Sequence, residues 1–411
     1  MTNQIAATHD HTASAGVTAA APNAAPADVA QVAAAAPQPG LTAPVKSGSG
    51  LLVLAIIGII VLSLVLLFVF VYLISGLGVA GFALGGILAL VPLAIVFFVV
   101  RWIDRWEPEP RLAVVFAFLW GAGVSVLIAL LVGAEVDNVI NSLGGPGPGY
   151  EFFGAAIQAP IVEEVGKGLG LLIIFFAARK HFDGPVDGLV YAAWVAGGFA
   201  FTENILYFGS EIVADGAVVQ IFLIRGIMSP FAHVMFTACL GLALGFAARR
   251  GGVLRGLGYF VLGVIPAILL HALWNGALFF VSDFFGYYAV VQVPLFIGAV
   301  FLVLYLRRQE AKLTHDRLSE YAAVGWFNPE EVPALATKQG RRQAIAWAER
   351  NGKGRQMKQY IKDATRLAFA RQRIITDRNL IGADVNEPAL LDAVVESRKA
   401  LVGVGTAPAT A

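Results

Sequence analysis

Cysteine is nearly absent: the 411 residues hold one, Cys239. No intrachain disulfide and no cysteine-ligated zinc site can therefore form. Charge is scarce as well. Lys, Arg, Asp and Glu make up 14% of the chain, against about 25% in a soluble globular protein. There is no P-loop and no His-Glu-x-x-His, and the Gly-x-Gly-x-x-Gly at Gly76 to Gly81 joins two long apolar runs rather than a strand and a helix, so the common dinucleotide, phosphate-loop and single-helix zinc motifs are excluded. No Ser or Cys stands beside an obvious base. No nucleic-acid recognition motif accompanies the basic residues that are present, so nucleic acid is not an expected partner.

What is present is apolar. Hydrophobic residues form 58% of the chain, in recurring runs of roughly 20 residues, each long enough to cross a hydrocarbon core of ~30 Å. The expected fold class is all-α, a polytopic membrane helix bundle of about eight transmembrane helices. The spans fall near 51–75, 79–100, 112–133, 152–178, 189–208, 226–248, 257–281 and 285–306. Alternate connectors are basic, carrying Arg101, Arg105 and Arg111, then Arg179 and Lys180, then Arg249, Arg250 and Arg255, then Arg307, Arg308 and Lys312. The intervening connectors hold Asp137, Glu151, Glu211, Asp215 and Asp283, with Arg225 the one basic residue near them. Lys and Arg collect on the cytoplasmic side. The expectation is a multi-pass protein of the plasma membrane with both termini cytoplasmic and the lipid bilayer as a partner.

Three regions follow. Residues 1–50 are rich in Ala and Pro, with Lys46 their one Lys or Arg, which predicts a disordered tail rather than a core or a secretory signal. Residues 51–306 form the transmembrane domain. Residues 307–411 form a basic, helical cytoplasmic region: 307–380 holds 16 Lys or Arg against 8 Asp or Glu. Arg341 to Arg350 reads as an amphipathic helix, and a basic appendage of this kind either fixes topology or rests on anionic lipid.

Inside the apolar spans sit Glu163, Glu164, Lys167, Glu203, His233 and His271. A charge at the bilayer centre costs at least ~2.5 kcal/mol, so an intramembrane cluster reads first as a functional site. Their depths agree. Glu163 lies 16 residues before Arg179, Glu203 lies 15 after Gly188, His233 lies 16 before Arg249, and His271 lies 16 after Arg255. At the helical rise all four fall roughly 23 Å from the cytoplasmic boundary, in one plane of the outer half of the bilayer. Lys167 follows Glu163 by four residues and Glu164 by three, so either carboxylate can meet it on one face. Pro160 precedes them, and Gly166, Gly168 and Gly170 leave a strip for close helix approach. Asn204 adjoins Glu203, and Asn275 shares a face with His271. Taken singly, these asparagines read as packing contacts and the Glu–Lys set as a structural ion pair. Taken on one level, they read as a site.

Paired Glu and His suit acid–base work on a water molecule. Two His and a Glu also match the ligand set of a catalytic zinc. Zinc is thus the candidate cofactor, with Glu163, Glu203, His233 and His271 as candidate ligands drawn from separate helices.

The motifs Glu163-Glu164-x-x-Lys167, Phe199-x-x-x-Glu203-Asn204, His233 and His271-x-x-Trp274-Asn275, in that order, resemble those of the PrsW-type intramembrane proteases of bacteria, over residues of about 95–306. The resemblance implies cleavage of a membrane protein substrate, of which an anti-sigma factor is the family's type case, by a metal-dependent or a glutamate-type mechanism. A more distant likeness is to the type II CAAX-processing proteases. It implies Glu163 as the base that activates water and His271 and Asn275 as oxyanion donors. The chain departs from that pattern at Lys167, where an Arg is expected one position later, and at Glu203, where a His is expected; His233 is the candidate for the missing imidazole. The resulting expectation is an intramembrane endopeptidase whose site comprises Glu163, Glu164, Lys167, Glu203, His233, His271 and Asn275. The alternative is a proton-coupled transporter, since mid-membrane Glu, Lys and His also build proton relays.

Overall fold

The computed structural model describes residues 49–179, 182–250, 253–375 and 387–403. The expected tail at 1–50 lies almost wholly outside them. The regular secondary structure of the described residues is all helical, with no strand among them.

The first element, α1 (Ser49–Ile103), is broken at Gly78, whose φ of 68° is left-handed and suits glycine. The chain doubles back there. Phe70 and Phe82 have ring centroids 5.3 Å apart, whereas 12 residues of unbroken helix would separate them by ~18 Å. Next come α2 (Arg111–Ser142) and α3 (Ala159–Ala177). α4 (Pro185–Val213) is the central helix, nearly continuous in its burial from Pro185 to Phe199. α5 (Ala232–Ala248), α6 (Val253–Phe280) and α7 (Val293–Ala323) complete the bundle. Among the described residues, six helices are long and apolar enough to cross a membrane, against the eight spans expected. The difference has two physical sources. The two arms of the hairpin 52–103 meet directly at Gly78 and count as one element, and α3 is 19 residues long and carries three charged side chains in its first half. The protein is a membrane-embedded, multi-pass helical bundle.

Close backbone contact sets the helix positions. A Cβ on Gly188 would lie 2.0 Å from the carbonyl oxygen of Gly241, and one on Gly241 would lie 2.2 Å from that of Gly188. α4 and α5 therefore touch backbone to backbone, the geometry that small residues allow in lipid. On α3, a Cβ at Gly170 would strike the Trp120 ring at 2.2 Å, and Trp120 Nε1 donates to the Gly166 carbonyl at 3.0 Å. The strip of glycines thus seats α2 against the helix that carries Glu163, Glu164 and Lys167.

Helices α8 (Glu331–Ala336), α9 (Lys338–Arg350), α10 (Gly354–Ile375) and α11 (Glu387–Val402) form the C-terminal region. It has its own apolar core, with Leu318, Leu335, Tyr360, Leu367 and Leu401 buried. Thr337 caps α9 by accepting from the Gly340 amide at 3.0 Å. The region also grips the transmembrane part. Trp106 Nε1 donates to Thr314 Oγ1 at 3.1 Å, Arg341 donates to the Trp106 carbonyl at 3.2 Å, and Arg373 pairs with Asp183.

Candidate active site

Four helices bring their polar residues to one place. α3 supplies Glu163, Glu164 and Lys167, α4 supplies Glu203, α5 supplies His233, and α6 supplies His271. The rings of His233 and His271 lie 5.1 Å apart, edge to face. Phe236 stacks on His271 with centroids 4.9 Å apart, and the Lys167 ammonium lies 4.1 Å from the centre of the Phe199 ring.

Glu164 is the most fully engaged group. It is wholly buried. One oxygen accepts from Lys167 Nζ at 2.7 Å and lies 3.1 Å from His271 Nδ1; the other accepts from Thr237 Oγ1 at 2.8 Å. A carboxylate on Nδ1 makes that nitrogen the donor, which leaves His271 Nε2 with its lone pair when the ring is neutral. Nε2 faces Glu163 Oε2 at 3.8 Å. Glu163 Oε2 is buried and has no hydrogen-bond partner; its nearest charge is Lys167, at 3.6 Å. A buried carboxylate oxygen without a partner is costly and marks the open position of the cluster.

The second imidazole is held in the same way. His233 Nε2 lies 2.8 Å from Glu203 Oε2, and its Nδ1 lies 3.2 Å from Lys167 Nζ. The Lys167 ammonium can only donate, so Nδ1 accepts and Nε2 donates to Glu203. The same Glu203 oxygen is paired with Arg225, which also donates to Asn204 Oδ1 at 2.9 Å. Asn275 is committed elsewhere: its Nδ2 donates to the Ala155 carbonyl at 2.8 Å, tying α6 to the π-helical turn Gly154–Gln158 before α3.

Reading the sequence alone leaves out Arg225, Thr237 and Phe236. Arg225 was visible as the one basic residue near the acidic connectors; it sits in a π-helical turn, Leu223–Met228, which carries it in to Glu203. Thr237 lies four residues after His233, on the same helix face. Nothing in composition marks Phe236 as the ring beneath His271.

A divalent metal fits this donor set. Glu163, His233 and His271 each offer a ligand atom, all within 4.8 Å of one another. Each imidazole has its other nitrogen held by a carboxylate, the outer arrangement that usually orients metal-binding histidines. The orphaned Glu163 oxygen supplies the anionic ligand. Lys167 stands 3.2 Å from His233 Nδ1, so a metal would have to displace that contact. Glu203 lies behind His233 and outside the three-residue group.

A buried cluster of Glu and His inside a helical membrane bundle has the residue types of one class, the membrane-embedded hydrolases. The comparisons narrow it. The profile described as "PrsW family intramembrane metalloprotease" matches residues 109–299. Protease PrsW of Clostridioides difficile (strain 630) is 32% identical over 192 residues, 46% of this chain and 76% of that protein. Protease PrsW of Geobacillus kaustophilus (strain HTA426) is 27% identical over 240 residues, 57% of this chain and 90% of that one. Protease PrsW of Bacillus subtilis (strain 168) is 27% identical over 184 residues, 45% and 78% respectively. No solved structure matches. The chain belongs to the PrsW family of intramembrane proteases. It is an intramembrane endopeptidase, and these relatives do not favour the transporter alternative.

Proposed function

We propose that Glu163 and His271 hold the water that cleaves a peptide bond of a single-span or membrane-anchored protein. The observation that carries this reading is the unpartnered Glu163 oxygen facing His271 Nε2 at 3.8 Å. Glu163 takes a proton from that water as its oxygen attacks the peptide carbonyl carbon. The same proton passes to the amide nitrogen as the C–N bond breaks, leaving a carboxylic acid and an amine; the acid's proton, the second one of the water, then passes to the amine to give carboxylate and ammonium. Glu164 fixes the orientation of His271, and Thr237 and Lys167 fix Glu164. Glu203 fixes His233, and Arg225 balances Glu203. Asn275 acts as a positioning residue through Ala155 rather than as an oxyanion donor. A metal held by Glu163, His233 and His271 would supply Lewis acidity, lowering the pKa of water to about 7.

The substrate class is a membrane protein cut near the outer face, with an anti-sigma factor as one instance. The alternation of basic and acidic connectors supports a topology with both termini in the cytoplasm. The test is cleavage by purified, reconstituted protein, with metal analysis and prolonged chelation on the same sample. Cleavage lost on chelation and restored by zinc assigns the metal; cleavage that survives assigns Glu163 and water alone. No cleavage of any membrane protein, with or without zinc, overturns the reading.

A further inference from the structure

The face bearing the basic connectors carries a second feature, lined by none of the candidate site residues. A cavity of about 340 Å³ lies between the end of α1, the middle of α7 and helices α9 and α10. Eight Lys or Arg side chains line it against one carboxylate, Glu107. Burial and the neighbouring Asp183, Asp187 and Glu310 push Glu107 well above the usual carboxylate range, so it offsets little of this charge. Arg341 is used internally, donating to the Leu335 and Trp106 carbonyls and to Thr365. Lys358 pairs with Glu349. Arg105, Lys338, Arg342, Lys362 and Arg366 are exposed and have no ion pair among the described residues. These five unpaired cations repel one another across a cavity that holds a single carboxylate, and a bound anion would offset that repulsion.

An apolar groove adjoins this cavity. It encloses about 500 Å³ along α1, α4, α5 and α7, and is lined almost wholly by apolar side chains, including Val99, Phe231, Met235, Phe296 and Leu306. The two hollows share a wall, Trp102. They also meet in sequence: Leu306 faces the groove and Arg307 faces the cavity. The Arg307 guanidinium lies over the Trp102 ring at 4.0 Å, with its Nε buried and without a hydrogen-bond partner. Tryptophan at this junction marks the level of lipid headgroups.

We propose that this face binds an anionic phospholipid, its phosphate in the basic cavity and an acyl chain in the adjoining groove. Basic pockets beside transmembrane helices are suited to such headgroups. The apolar groove distinguishes the lipid from a soluble phosphate compound, which would have no use for it. The bound lipid would fill the space between α1, α7 and the C-terminal helices and so brace the C-terminal region on the bundle.

The test uses the full-length protein in nanodiscs of phosphatidylcholine with or without phosphatidylglycerol, reading retained lipid by mass spectrometry and affinity with a fluorescent phosphatidylglycerol. Phosphatidylglycerol is expected to be retained selectively. The triple variant Lys338→Gln, Arg342→Gln, Arg366→Gln, which alters exposed side chains, should bind it roughly 100-fold more weakly at about 1 kcal/mol per cation. Its far-UV circular dichroism should match that of the wild type. Ala299→Phe, which fills the groove, should weaken the lipid but not inorganic pyrophosphate. Equal retention of the two lipids overturns the proposal, as does a triple variant of normal affinity. So does pyrophosphate that competes as tightly as the lipid and ignores Ala299→Phe, or a photocrosslinker at position 299 that captures a transmembrane peptide in preference to lipid.

Discussion

Glu164 holds His271 by Nδ1 at 3.1 Å, and in doing so turns His271 Nε2 toward Glu163. The two adjacent carboxylates therefore have opposite duties, and substitutions should separate them. Glu164→Gln leaves the buried Lys167 with no carboxylate nearer than Glu163, at 3.6 Å, and withdraws the charged acceptor from Thr237 and His271. Breaking such a buried pair costs ~3–5 kcal/mol, so its thermal unfolding should move sharply down. Glu163→Gln removes an oxygen that has no partner and should leave Tm nearly unchanged. Thermal melts of the two variants in the same detergent check this.

Asn275→Ala should behave as the loss of a brace. It orphans the Ala155 carbonyl, at a cost of about 1–3 kcal/mol, and lets α6 shift against the turn before α3. Cleavage should fall less than in His271→Ala, which removes an atom facing the open carboxylate. If kcat/KM in Asn275→Ala fell as far as in His271→Ala, while Tm stayed put, Asn275 would be acting directly on the substrate.

Much of the candidate site was legible in the sequence because a helix rises by a fixed amount per residue. Counting from Arg179, Arg249 and Arg255 puts Glu163, His233 and His271 at one depth before any packing is known. Depth says nothing of direction, and here the sequence reading stops. Whether Asn275 turns to the site or to Ala155, and whether Thr237 reaches Glu164, depends on helix rotation fixed by long-range packing. Arg225 was read as a connector residue because its π-helical turn has no compositional mark. The eight spans expected and the six long helices found part at Gly78, where two helices meet without an intervening loop and count as one element, and at α3, whose site charges dilute its apolarity.

Stability should depend on pH through the loop that joins α1 to α2. Burial raises Asp104 to about 6, although the Glu109 amide donates to it and Arg101 lies near. The folded protein therefore holds a proton on Asp104 more tightly than the unfolded chain, whose value is near 3.8. Its contribution is complete below about 3.8, falls as pH rises towards about 6 and is lost above that. Asp104→Asn keeps an oxygen for the Glu109 amide and removes the buried charge. It should raise stability at pH 7.5 by on the order of 1–3 kcal/mol and leave it unchanged near pH 4. Denaturation of both proteins across that range measures the difference.

Removal of residues 324–411 should spare the chemistry and weaken the fold. None of Glu163, Glu203, His233 or His271 lies there, but Arg341 and Arg373 do, and they engage Trp106 and Asp183 in the transmembrane part. The truncated protein should cleave within about tenfold of the full chain at low temperature and lose activity earlier on heating. A time course at two temperatures reads both effects.

The most direct measurement of the central claim compares wild type with Glu163→Gln in proteoliposomes that contain the source cell's membrane proteins, reading newly formed peptide termini by mass spectrometry. Wild type should generate termini within or beside transmembrane segments. Glu163→Gln, folded and inserted with an unchanged Tm, should generate them at least ~10²-fold more slowly, as expected for loss of a working general base. A Glu163→Gln protein that cleaves at the wild-type rate would contradict the account.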